Sequence, residues 1–166
     1  MRRVPVISLL LFAALTWAQQ PAQQPASDHH HDAVMQRGEK GMGFSQTATT
    51  HHFLANDNGG VIKVEAKDPS DTKSRDQVRA HLQHIAHAFA AGDFAIPMFV
   101  HDQTVPGVAA MQRLKSEIRY GYEELPAGAQ VQIRSSNPEA VAAIHDFLSF
   151  QIQDHRTGDP LPKREH

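Results

Sequence analysis

The segment that decides the fold runs from Val78 to Phe89 and reads VRAHLQHIAHAF. Its apolar residues recur at the spacing of one helix face, as Val78, Leu82, Ile85 and Phe89. This spacing predicts an amphipathic helix whose apolar stripe faces the core. Three histidines accompany the stripe: His81 at its edge, His84 about 60° farther round and His87 toward solvent. Because residues three apart are neighbours on a helix, His81 and His84 can direct their imidazoles at one point.

The residues on either side give this helix its predicted bounds. Asp68 followed by Pro69 indicates an N-cap and a first helical position. Gly92 indicates the end of the helix, because glycine readily adopts the left-handed conformation that commonly closes a helix. The predicted helix therefore extends from Pro69 to about Ala91.

A β-hairpin is predicted immediately before the helix. Residues 47–53 and 61–66 contain β-branched residues and alternate in polarity, and the turn signal Asp57-Asn58-Gly59-Gly60 separates them. With Asn58 and Gly59 as the loop residues, Phe53 lies opposite Val64 and His51 opposite Ala66 on the apolar face. His52 then points to the other face. A shift of one residue would exchange the two faces.

The same order of elements recurs in the second half of the chain. Residues 116–123 alternate in polarity, residues 126–128 turn the chain, residues 131–133 carry a returning strand, and Asn137-Pro138 opens a helix that ends near His155. Each half is a ββα unit, and neither hairpin can bury its apolar face alone. The sequence predicts an α+β fold in which two ββα units form an antiparallel four-stranded sheet with helices packed on one face.

The connection between the two units, residues 93–115, carries a weaker pattern. Residues 94–100 indicate a short strand interrupted by Pro97, and residues 106–114 indicate a short helix. This connection is either a lid over a site or only a link between the units.

The N-terminal segment predicts where the protein resides. Residues 1–18 have the positive start, the apolar run and the small-residue end of a secretory signal peptide, cut after Ala18. The apolar run is too short to span a membrane, and the mature protein is expected to be secreted or periplasmic. Residues 19–43 are predicted to form a flexible leader that contains the run His29 to His31. A single domain over residues 44–159 and a frayed tail over residues 160–166 follow.

The composition excludes several classes of protein. No cysteine occurs, which excludes a disulfide scaffold, a cysteine-linked lipid anchor, an iron–sulfur cluster and a thiol nucleophile. Acidic residues number 18 and basic residues 16, so the basic face of a nucleic-acid-binding protein is not expected. The chain also has no phosphate-binding loop, dinucleotide fingerprint or Gly-x-Ser-x-Gly nucleophile elbow.

Histidine is the residue type in this chain that most often binds metals, and the chain has 12 histidines. His145 falls inside the apolar stripe of the second helix. Together with His51, His81 and His84, it is predicted to face or flank one core. Three or four imidazoles suit Zn²⁺ or Cu²⁺, and Met42, Met98 and Met111 would add soft ligands for Cu(I), although methionine more often fills a core. The predicted metal ligands are therefore His51, His81, His84 and His145.

Three functions are compatible with these residues. The first is a copper- or zinc-binding protein, which requires the histidines to cluster in space. The second is a structural or interaction module, in which the histidines are scattered and individually hydrogen-bonded. The third is a small hydrolase with His145 or His101 as general base. The sequence favours the first two over an enzyme.

Several short motifs carry a family resemblance that covers residues 41–159. They include MGFSQ from Met42, TTHHF from Thr49, HLQHIA from His81, VHDQ from Val100 and AIHDFL from Ala143. The chain resembles a family of small secreted bacterial proteins of unknown function. Some members are labelled aspartate carbamoyltransferase, but the Ser-Thr-Arg-Thr-Arg segment of that enzyme is absent here, and so is its alternating βα pattern. The resemblance implies no catalytic residues.

Overall fold

The computed structural model describes residues 26–162. Residues 1–25, which include the predicted signal peptide, and residues 163–166 lie outside the described part. The described helices are α1 (Ala26–Met42), α2 (Thr72–Ala91), α3 (Ala95–His101), α4 (Val108–Arg113) and α5 (Pro138–Asp154), with a 3-10 turn at Lys115–Glu117. The strands are β1 (Thr49–Asn56), β2 (Gly59–Ala66), β3 (Ile118–Leu125) and β4 (Gly128–Ser135).

The four strands form one antiparallel sheet in the order β1-β2-β4-β3. Helices pack against the sheet, and the predicted α+β fold built from two ββα units is confirmed. The two long helices do not pack on the hairpins that precede them in sequence. Helix α2 lies chiefly on β4 and β3, whereas α5 lies chiefly on β1 and β2. Each helix thus covers mainly the hairpin of the other unit. No helix within residues 26–162 has the length and apolar character needed to cross a membrane.

The first hairpin turns one residue earlier than the sequence predicts. Asp57 and Asn58 form the loop, and His51 pairs with Val64 instead of Ala66. The Asn56 side chain closes the turn by accepting a hydrogen bond from the Asn58 amide at 3.2 Å. Gly59 belongs to β2, where a Cβ would lie 2.0 Å from a carbonyl oxygen of β4. The register differs from the predicted one by two residues, so His51 still faces the core.

Helix α2 also begins later than predicted. Asp71 is its N-cap, accepting a hydrogen bond from the Ser74 amide at 3.0 Å. Asp68 instead accepts hydrogen bonds from the Ser70 amide and hydroxyl, at 2.9 and 2.7 Å, and forms a turn before the helix. The predicted end is confirmed, because Gly92 closes the helix with φ +82°.

Two segments are helical where the sequence predicted otherwise. Helix α1 occupies most of the predicted flexible leader, because the fully buried Val34 and a 2.7 Å hydrogen bond from Arg37 Nε to the Val100 carbonyl dock it on α3. Helix α3 replaces the predicted strand at residues 94–100. Pro97 lies in its first turn, where a backbone N–H is not needed for the helix.

Gly107 provides a test of the packing between α4 and α5. It precedes α4 with φ +79°, and a Cβ there would lie 2.1 Å from the Ala143 carbonyl oxygen on α5. We expect Gly107→Ala to lower the free energy of unfolding by at least about 2 kcal/mol. Gly121→Ala is the control, because the nearest atom to its added Cβ is 3.9 Å away. Equal urea midpoints for the two variants would contradict the prediction.

Candidate functional site

A cavity of about 60 Å³ lies between the sheet and the helices. Four of the residues that line it are histidines from four parts of the fold: His51 on β1, His81 on α2, His101 at the end of α3 and His155 just after α5. The remaining lining is almost entirely apolar, with Gln151 as the additional polar side chain. The cavity holds roughly four water molecules, or one ion with part of its coordination shell.

The local structure explains why these histidines point inward. His51 alternates along β1 with the buried Phe53, so both lie on the face that the helices cover. His81 lies beside the buried Leu82 and Ile85 on the edge of the α2 stripe. His155 is the C-cap residue of α5. These positions follow from strand alternation, helix periodicity and a helix end.

The imidazole rings contact one another and neighbouring phenylalanines. The rings of His51 and His155 stack with centroids 5.9 Å apart and planes 4° apart. His101 meets His155 edge-on at 5.0 Å. Phe44 stacks against His51 at 5.8 Å and meets His81 edge-on at 5.5 Å. The histidines therefore form one contiguous aromatic cluster with Phe44.

Burial keeps three of these rings uncharged at neutral pH. It lowers the pKa of His51 to about 4, assisted by the charges of His52 and Lys67. It also lowers the pKa of His81 to about 4, assisted by His51 and His84. The pKa of His155 falls to about 3, through burial and then the charges of His101 and His51. A neutral imidazole retains a lone pair on one ring nitrogen, which is the form that binds metals.

The three neutral rings have no hydrogen-bond partners within residues 26–162. The Nε2 atom of His51 is buried without a partner, and so is the Nε2 atom of Gln151. The rings of His81 and His155 also make no hydrogen bond with another described residue. An unpartnered buried polar group costs roughly 1–3 kcal/mol, so the pair formed by His51 Nε2 and Gln151 Nε2 beside one cavity requires an explanation.

His101 differs from the other three because both of its ring nitrogens are engaged. Nδ1 lies 2.5 Å from Asp154 Oδ2, and Nε2 lies 3.0 Å from the Gln151 side-chain oxygen. Asp154 therefore accepts from His101, and the side-chain amide of Gln151, whose Nε2 has no partner within residues 26–162, meets the second ring nitrogen. Burial raises the pKa of Asp154, but hydrogen bonds from His101 and His30 outweigh it and hold this pKa below its ordinary value.

The N-terminal histidine run docks beside this pair. His30 Nε2 lies 2.8 Å from Asp154 Oδ1, and His31 Nδ1 lies 3.3 Å from the Asp154 carbonyl oxygen. Asp28 accepts a hydrogen bond from Arg156 at 3.1 Å. These contacts fix the start of α1 against the end of α5.

The structure brings together two of the four predicted metal ligands, His51 and His81. His84 is exposed on α2. His145 lies at the first hairpin, where Nε2 is 2.9 Å from the Asn56 carbonyl oxygen and 3.1 Å from that of Gly59. It therefore clamps the turn between β1 and β2. In the described part of the chain, no three histidine or acidic side chains are positioned to hold one ion.

Two cavity histidines were outside the predicted ligand set. His155 lies close to the apolar stripe of α5, and that position was the available signal. His101 gave no comparable signal, because its place depends on how α3 docks.

Comparison with protein-family models, with curated proteins and with solved structures finds no match.

Proposed function

We propose that this protein binds a transition-metal ion, copper or zinc, through the neutral imidazoles of His51, His81 and His155. The observation that carries the proposal is their convergence on one cavity with ring nitrogens that lack hydrogen-bond partners within residues 26–162. A metal ion would supply the missing partner to several rings at once. Imidazole nitrogen is the commonest metal ligand in proteins.

Binding requires the rings to turn. As they stand, His51 and His155 are stacked face to face, and such rings do not direct lone pairs at a common point between them. The cavity of about 60 Å³ gives the side chains room to change rotamer. The energy that the unpartnered nitrogens cost in the metal-free state is recovered when they bind the ion.

The predicted signal peptide indicates the compartment in which the protein would meet the metal ion. A protein exported by that segment meets metal ions in the periplasm or outside the cell, without any cysteine of its own to bind them. Histidine and methionine are then the nitrogen and sulfur ligands that it can offer.

A second candidate function is an interaction module. Met98 and Phe99 lie next to each other on α3 with 37% and 51% of their surfaces exposed. Adjacent exposed large apolar side chains are a feature of protein-binding surfaces. The hydrolase alternative is weaker, because Gln151 already occupies the His101 nitrogen that a general base would use.

Metal titration tests the proposed function. We would titrate Cu²⁺ and Zn²⁺ into untagged residues 19–166, with a chelator present that competes with sites weaker than about 1 μM. We expect a one-to-one site whose affinity falls at least about 100-fold in His51→Phe and in His155→Phe. Both variants keep an aromatic ring within the stack.

The matched control is His84→Phe, which makes the same change at an exposed histidine of α2. It should bind metal like the unmodified chain. The run His29 to His31 is present in every variant, so its contribution cancels in the comparison. Equal affinities across all the variants, or no binding against the chelator, would refute the metal-binding function.

A further inference from the structure

The two edges of the sheet differ in how the rest of the described chain covers them. The strand order makes β1 and β3 the edge strands. On β1, the Asp159 carboxylate accepts a hydrogen bond from the Phe53 amide at 2.9 Å, and its other oxygen lies 2.9 Å from His52 Nδ1. The segment after α5 thus covers part of this edge. On β3, no group of residues 26–162 outside the sheet hydrogen-bonds to the backbone of residues 119–124. The β3 edge is therefore open.

Strand β3 lacks several features with which proteins protect a sheet edge. It is eight residues long, contains no proline, and pairs with β4 residue by residue without a bulge. Alternate residues of an antiparallel edge strand point their backbone N–H and C=O groups outward, where these groups can pair with another strand. The open β3 edge can therefore accept an added strand.

Gly121 lies in the middle of β3, where neither backbone conformation nor space requires a glycine. Its φ is not positive. A Cβ added there would have the Cβ of Gln132 as its nearest neighbour, at 3.9 Å, which is an ordinary contact. A glycine inside a strand weakens the strand and often marks a place where another backbone approaches closely.

The charges on the open face of β3, the face opposite to its buried Ile118, are not balanced within the described chain. Arg119 lies directly opposite Arg134 of β4, both side chains are exposed, and neither forms an ion pair within residues 26–162. Like charges directly opposite each other destabilise a sheet. Farther along the same face, the exposed Glu123 accepts hydrogen bonds from two glutamines of β4 but pairs with no cation of the described chain.

These features fit together if two copies of β3 pair antiparallel about a two-fold axis at Gly121. Arg119 of each copy then lies opposite Glu123 of the other, on the open face of both sheets. Tyr120 lies opposite Tyr122, which makes a cross-strand aromatic pair. The two glycines meet at the axis, where no side chain obstructs the approach. Moving the axis by one residue in either direction keeps the faces aligned but removes both charge pairs.

We infer that this protein forms a two-fold dimer through antiparallel pairing of β3 with β3 of a second copy. The two four-stranded sheets become one continuous sheet. Main-chain hydrogen bonds hold the two strands together, and the pairs between Arg119 and Glu123 fix the register and select a second copy. A two-fold interface must be self-complementary, and this strand meets that requirement. The dimer uses a different part of the molecule from the cavity and does not depend on metal binding.

Analytical ultracentrifugation of untagged residues 19–166, which contain every described helix and strand, tests the dimer. We expect a monomer–dimer equilibrium with a Kd of about 10–100 μM, because a single strand edge gives an interface at the small end of the range for specific complexes. Protein concentrations from about 5 μM to about 1 mM cover this range.

Charge reversal identifies the interface. Arg119→Glu places two glutamates opposite each other at both ends of the paired strands, and Glu123→Arg does the same with arginines, so each should weaken the dimer at least about tenfold. The double variant Arg119→Glu/Glu123→Arg exchanges the partners and should restore the Kd of the unmodified chain. All the substituted side chains are exposed, so the variants are expected to fold.

Lys73→Glu is the matched control, because it makes the same change of charge as Arg119→Glu at an exposed residue in the first turn of α2. It should leave the Kd unchanged. A chain that stays monomeric up to about 1 mM would overturn the inference and leave the β3 edge to a strand of a different protein. A dimer that is insensitive to both single reversals, or one that the double variant does not restore, would also overturn it.

Discussion

Acidification from pH 7 to pH 5 is expected to cost the metal-free protein about 6 kcal/mol of stability. The cause is the group of three partly buried histidines of the cavity, whose pKa values are about 4 for His51, about 4 for His81 and about 3 for His155. Each contributes about 2 kcal/mol of this loss at pH 5. The total approaches the whole stability of a typical small domain, so unfolding is expected near pH 5.

The sign follows from which state binds more protons. An unfolded histidine has a pKa near 6.5. Below that pH the histidines of the unfolded chain bind protons, whereas the three cavity histidines of the folded chain remain neutral. Proton uptake then favours the unfolded state, and stability falls as the pH drops from about 6.5 toward about 4. The lowered pKa of Asp154 acts in a lower window, below the ordinary carboxyl pKa of about 3.9.

Urea unfolding at pH 7, 6 and 5 measures this dependence. His81→Phe should reduce the slope of stability against pH by about a third, because one of three responsible groups is removed. His87→Phe is the control, since His87 is exposed on the same helix. A free energy of unfolding that stays constant between pH 7 and pH 5 would show that the cavity histidines are not held neutral by burial.

The second large effect is expected from Asp154→Asn, which should lower the free energy of unfolding by about 3 kcal/mol at pH 7. Asp154 is the carboxylate partner of the buried His101 and also accepts from His30. Asparagine keeps the shape but removes the charge, so the buried His101 ring and His30 lose their carboxylate acceptor. The loss of a charge-assisted hydrogen bond at a buried position costs energy.

Asp146→Asn makes the same chemical change on the same helix. Asp146 is exposed, and the change is expected to alter stability by less than about 0.5 kcal/mol. The two variants would be compared by urea denaturation at pH 7. A loss in Asp154→Asn no larger than in the control would mean that the pair with His101 contributes little to the fold.

Local patterns were sufficient to predict the sheet and its two long helices. Alternation placed His51 on the same face as Phe53, and helical periodicity placed Val78, Leu82 and Phe89 on one stripe. These patterns depend only on neighbours along the chain. A two-residue error in the register of the first hairpin left the faces unchanged, because side chains alternate with a period of two.

The N-terminal helix and α3 could not be predicted in the same way. The sequence of α1 contains few large apolar side chains, and its helical state depends on the docking of Val34 and Arg37 against the rest of the fold. Composition indicates flexibility because it contains no information on tertiary contacts. Pro97 likewise favoured an irregular strand, although a first-turn proline is also compatible with a helix.

The candidate site was predictable only in part for the same reason. His51 and His81 face the core by periodicity, whereas His101 reaches the cavity through the docking of α3. His145 lies within an apolar stripe, yet the part of the stripe that it occupies meets the backbone of a turn. A helical wheel gives the direction of a side chain but does not identify what that side chain meets.

Because each long helix packs chiefly on the hairpin of the other unit, the order of synthesis limits when the chain can fold. Helix α2 leaves the ribosome soon after the first hairpin, but the strands on which it chiefly packs, β3 and β4, come later. Helix α5, the last element, chiefly covers the first hairpin. A nascent chain that stops before Pro138 already contains α2 with β3 and β4, but the apolar face of its first hairpin lacks the helix that chiefly covers it. Burial of that face therefore waits for synthesis of the C-terminal helix.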